Sequence, residues 1–171
     1  MEWQWRLLRN DASFGERGRQ GHEAVGLVLI GRPHSELWLD FAEGMGASRD
    51  AVRQSPPVEH VERLIEMFRR LVKTPAAGLA ALYAYESQVP RIAHEKVRGL
   101  KECYGADDRT CRYFALHTTA DVKHAAVWKR QLRDVVAADP AQAGDALAAA
   151  RRAARALWRA LDGIEALRQA A

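Results

Sequence analysis

The chain has 171 residues, 48% of them apolar and 28% charged, with only six prolines, which admits a globular domain with a real core and excludes collagen-like, mucin-like and wholly disordered polymers. Its 26 Lys and Arg against 22 Asp and Glu give a formal charge of +4 mixed along the sequence, so nucleic acid is not an expected partner. Two cysteines, Cys103 and Cys111, make neither a disulfide framework nor a zinc-finger ligand set, no apolar run approaches the roughly 18 residues of a membrane span, and no signal-peptide order is present. A cytoplasmic protein without a membrane partner is expected.

Residues 1–33 differ from the rest: Gly15, Gly18, Gly21, Gly26 and Gly31 punctuate them and no helical period is sustained. They read as a loose leader covering the body, with a short helical turn around Trp3, Trp5, Leu7 and Leu8 and an extended stretch over Val25 to Ile30. From His34 onward the pattern is helical, and residues 34–171 read as one domain. Ser35 is a plausible N-cap for a first helix bearing Leu37, Trp38, Phe41 and Met45 and ending at Gly46, and Ser48 caps a short helix through Gln54. Pro56-Pro57 opens a longer helix with Val61, Leu64, Ile65, Phe68, Leu71 and Val72 on one face, ending near Thr74-Pro75.

The next helix runs from about Ala76 to Tyr104 and must kink or break at Pro90, where a backbone donor is lost, before Gly105 ends it. Another extends from Asp107 or Asp108 to Ala137, followed by Asp139-Pro140 and a final Ala- and Leu-rich helix. Nothing after residue 33 alternates like a strand. The fold class is therefore all-α, an antiparallel helical bundle. Arg151, Arg152, Arg155 and Arg159 lie on one side of the last helix and read as a solvated face.

The chemistry sits on the helix before it. His117, Asp121 and His124 stand at i, i+4 and i+7, which places them within about 60° of one another on one face. Phe114 and Trp128 share that face, so the polar groups lie in an apolar stripe and need partners. Two imidazoles and a carboxylate suit Fe(II) or Mn(II); a satisfied internal hydrogen-bond network is the alternative. Glu86 lies in a largely apolar segment one turn before Pro90, where a buried carboxylate must be protonated or paired. His60, beside Glu59 and Glu62, and His94, beyond the proline, read as exposed, and His22 has no role.

The stretch Tyr83-Ala84-Tyr85-Glu86-Ser87-Gln88-Val89-Pro90-Arg91-Ile92-Ala93 with Lys96, followed by His117-x3-Asp121-x2-His124, resembles the haem-oxygenase-like di-iron oxidases and oxygenases. That superfamily includes the TENA/THI-4 and PqqC-like proteins, and the resemblance is greatest to the CADD-like group. It covers roughly residues 34 to 137. It implies a bundle of that type holding one or two iron ions, with manganese as a possible substitute. It further implies O2 and a small organic molecule as partners, an oxidase or oxygenase reaction of the kind used in cofactor biosynthesis, and a homodimer. By position, His34, Glu86, His117, Asp121 and His124 match metal ligands, and Tyr85 and Lys96 match reactive positions.

Two departures accompany the matches. Relatives carry a carboxylate one or two turns before the histidine aligned with His34, whereas Leu27 to Pro33 contain no acid; Glu16 or Glu23 would substitute only if the leader folds back. Relatives also carry a further helix ahead of that histidine, so the bundle is expected to lack its first helix. A thiaminase reading fails because neither cysteine lies in the Tyr83–Pro90 segment. Two rivals stand: a degenerate member acting as a binding module, and a cofactor-free PqqC-like oxidase using Lys96, Tyr85 and arginines.

Overall fold

The structure is a computed structural model that describes residues 32–170. The proposed turn at Trp3–Leu8, the stretch Val25–Ile30, and Glu16, His22 and Glu23 lie outside the described residues. Those that are described form helices joined by short turns, with no strand among them: α1 (His34–Gly44), α2 (Arg49–Gln54), α3 (Glu59–Leu71), α4 (Pro75–Glu86), α5 (Val89–Tyr104), α6 (Asp108–Ala138) and α7 (Gln142–Ala170). The chain is all-α, as its periodicity requires.

Local chemistry fixes several of the ends. The Ser48 hydroxyl accepts from the Ala51 amide at 3.1 Å and opens α2. Asp107 opens α6 by accepting from the Thr110 amide at 2.8 Å and the Thr110 hydroxyl at 2.6 Å, and those two bonds hold its carboxyl below its ordinary pKa. Gly105, at φ +63°, closes α5 in the left-handed conformation that glycine adopts without strain. Three ends differ from expectation: α3 begins at Glu59 and not at Pro56-Pro57, and two others follow. Pro33 rather than Ser35 precedes α1, its carbonyl accepting from the Glu36 and Leu37 amides at 3.0 and 3.2 Å. The long helix breaks at Ser87-Gln88, ahead of Pro90, so that the proline falls in the first turn of α5, where its missing N–H costs no helical bond.

The chain forms two compact units. In the described chain the first comprises residues 32–56 and 89–120, hence α1, α2, α5 and the beginning of α6. Trp38 and Phe41 of α1 meet Tyr113 and Phe114 of α6 edge-on, with centroids 5.0–6.2 Å apart, a geometry favoured by the ring quadrupoles. Gly44 lies so close to Thr110 that a Cβ there would fall 2.0 Å from the hydroxyl oxygen, which lets the end of α1 approach the start of α6.

The first unit also contains a buried charge that the hydrophobic pattern does not announce. Asp40, 1% exposed, accepts from Arg32 at 2.6 Å and from Arg49 and Arg109 at 2.8 Å each. Burial by itself would raise its pKa, but the three guanidinium hydrogen bonds outweigh that and hold the carboxyl well below the usual carboxylate range. Arg49 also bonds Glu36, and Arg109 bonds Glu43, so the excess positive charge is balanced on the same helix.

The second unit comprises residues 57–88 and 121–171, hence α3, α4, the remainder of α6 and α7. Its core is made of small residues. Phe68 and Leu71 of α3, Ala77 and Ala81 of α4, and Ala149 and Ala153 of α7 form one cluster; Ala76, Ala80 and Ala146 form another with Leu132 and Val135 of α6 against it. Alanine-on-alanine packing lets α4 and α7 lie close and bury backbone as well as side chain. His60, expected to be solvated, is half-buried: a Cβ on Gly163 would sit 2.2 Å from its Cγ. That glycine is the space the imidazole fills. Arg151, Arg152, Arg155 and Arg159 are exposed, as is His94.

Candidate metal centre

Three of the residues singled out in the sequence converge within the second unit. Glu86 is the last residue of α4, and Asp121 and His124 are on α6; one ligand-type atom from each lies within 4.8 Å of the others. Asp121 is buried, while Glu86 and His124 keep 17% and 27% of their side-chain surface. The His124 Nδ1 stands 3.1 Å from Asp121 Oδ1 and 3.6 Å from Glu86 Oε2.

A carboxylate only accepts, so in this arrangement the His124 Nδ1–H donates to Asp121. A cation held among the same atoms would take the place of that proton. Two carboxylates and an imidazole, with no thiolate, form a donor set that suits Fe(II) or Mn(II). The residues present therefore fit an iron centre.

Two further side chains bear on the cluster. The Trp128 indole Nε1–H donates to Glu86 Oε2 at 2.7 Å. The sequence placed Trp128 on the right face but only as an apolar neighbour; its position one turn after His124 was the available signal, and its polar edge was the part overlooked. Tyr85 precedes Glu86 and meets Phe68 edge-on at 6.0 Å. Loss of water around the phenol, then the negative charges of Asp121 and Glu86, raise its pKa above the ordinary 10.0, so it keeps its proton at neutral pH.

The other site residues lie in the first unit. The His117 Nδ1 is 2.6 Å from the Tyr113 carbonyl oxygen, which can only accept. In the neutral ring that bond puts the proton on Nδ1 and the lone pair on Nε2, the tautomer that a metal ligand needs. His34 on α1 packs edge-on against it, ring centroids 5.1 Å apart. Lys96 on α5 is exposed, with Nζ 5.5 Å from the centroid of the Phe114 ring. The single stripe read from the sequence is thus shared: Asp121 and His124 join Glu86, and His117 pairs with His34.

Comparison with known proteins agrees with this chemistry. The family described as iron-containing redox enzyme matches residues 18–158. Over 135 residues the chain is 42% identical to a 4-aminobenzoate synthase of Nitrosomonas europaea, covering 77% of this chain and 54% of that one. It is 40% identical over 105 residues to the 4-aminobenzoate synthase of Chlamydia pneumoniae, covering 60% and 47%, and 41% identical over 95 residues to that of Chlamydia trachomatis, covering 54% and 41%. The chain spans about half the length of these curated relatives. No solved structure matches it significantly. With helices throughout its described residues and a match over most of its length, the chain belongs to the iron-containing redox enzymes of the haem-oxygenase-like fold.

Proposed function

We propose that the chain is an O2-activating, iron-dependent oxidoreductase that acts on a small organic substrate in cofactor biosynthesis, the product being an aminobenzoate as in its named relatives. The observation that carries the reading is the meeting of Glu86, Asp121 and His124 within coordinating reach. These three, with His34 and His117, are assigned as the ligands of one or two ions, iron in the first instance and manganese as the alternative. When bound, iron supplies the electrons that let O2 react with a closed-shell organic molecule. The protein's part is to bring the two carboxyl groups together, to present imidazole lone pairs, and to exclude water from the buried Asp121. Tyr85, protonated at Oη, and Lys96, an ammonium held over an aromatic ring, are assigned as proton donors to the reacting molecules.

No helix among the described residues is long and apolar enough to cross a membrane. A cytoplasmic homodimer with no nucleic-acid partner completes the proposal. One observation favours a second reading, a non-catalytic binding module: the absence of any acid between Leu27 and Pro33, where relatives provide a ligand.

Anaerobic loading with Fe(II), followed by metal analysis, separates the readings. About two equivalents are expected if the family centre is whole, about one if a single ion is held, and none for the binding module. Asp121→Ala should abolish whichever content is found; full retention by that variant would refute the assignment of the cluster.

A further inference from the structure

The hydrogen bond between Trp128 and Glu86 has a directional consequence. An indole N–H donates and never accepts, so the group opposite it must present a lone pair. The bond is 2.7 Å long, a close and well-formed N–H···O contact. The same oxygen, Oε2, is the one 3.6 Å from the His124 Nδ1. Glu86 ends α4, and the chain turns at Ser87-Gln88 before α5 begins. Trp128 reaches it from α6, where Asp121, His124 and Trp128 occupy i, i+3 and i+7 of one face.

We infer that Trp128 is the positioning residue of the centre: its indole N–H fixes the Glu86 carboxyl group, turned toward His124, in advance of metal binding. The consequence for metal affinity rests on the reading proposed above; the fixing of Glu86 does not. Outer partners of ligands contribute about 10–100-fold in metal affinity. Trp128→Phe keeps an aromatic ring and removes the donor.

The test titrates the metal-free 171-residue chain with Co(II), following visible absorption, and measures hydrogen exchange of the Trp128 indole by NMR in the same protein without metal. Trp128→Phe should bind Co(II) about 10–100-fold more weakly than wild type at an unchanged fold by circular dichroism. In the metal-free protein, Glu86→Ala should speed indole exchange at least about tenfold, the signature of a lost acceptor. Wild-type affinity in Trp128→Phe would overturn the positioning role. Should the wild type bind no Co(II), the metal reading itself fails, and indole exchange decides alone: acceleration by Glu86→Ala upholds the fixing of Glu86, and unchanged exchange overturns it.

Discussion

Asp40→Asn is the substitution that tests the packing argument most severely, because it changes one charge and almost no volume. The carboxylate is 1% exposed and accepts from three guanidiniums; the amide offers one acceptor and turns a donor toward cations. Removing one partner of a buried ion pair costs about 3–5 kcal/mol. Arg32, Arg49 and Arg109 retain 38%, 23% and 49% exposure and recover hydration when released, so the low end, about 3 kcal/mol, is expected. For a chain of this length that is a fall of about 6–12 °C in Tm at pH 7, read by circular dichroism.

The pH dependence supplies the sign. Unfolded, Asp40 titrates near its ordinary 3.8; folded, it titrates well below the usual range. Its contribution is therefore complete above pH 4–5 and is lost as the pH falls toward the folded value. The gap between wild type and Asp40→Asn should be constant from about pH 5 to 7 and should close below about pH 4. A Tm difference below about 2 °C at pH 7, or one that widens in acid, would refute the claim that this clasp holds the first unit together.

Other consequences are as direct. Gly163→Ala should destabilise by about 1–3 kcal/mol, since the new methyl meets the root of the His60 ring, whereas Gly99→Ala, with nothing within 4 Å, should stabilise α5 by about 0.5–1 kcal/mol; thermal melts of the pair decide. His124→Ala should lose metal in the same anaerobic assay as Asp121→Ala, and retention would remove His124 from the ligand set. Tyr85→Phe and Lys96→Met should retain the wild-type metal content while lowering O2 consumption about 10²–10⁴-fold if each donates a proton in the reaction. Loss of metal from either would show that it supports the centre instead.

The second unit shows why its packing was only partly visible in advance. Apolar positions on α3 announced a buried face, and Phe68 and Leu71 occupy it. The alanine pairs that meet it from α4 and α7 carry a weaker signal, because a single methyl group adds little apolar area to mark a face. His60 was misread for a related reason: the two glutamates beside it suggested solvent, while the cavity that receives it is made by a glycine on α7, about a hundred residues later in the chain.

What the sequence determined by itself is what depends on neighbours a few residues apart. Prolines and glycines remove or permit particular backbone angles, so Gly105 and Pro140 marked helix ends and Pro90 marked a break. The period of 3.6 residues alone places Asp121 and His124 side by side. Only the tertiary structure decided which partners they meet. Glu86 and Trp128 are 42 residues apart, and Asp40 and Arg109 are 69; no local rule fixes such distances, because they follow from how whole helices pack. The division of the stripe, with His117 against His34 and its neighbours against Glu86, is likewise a property of packing, since a helix face specifies a direction and not what stands in it.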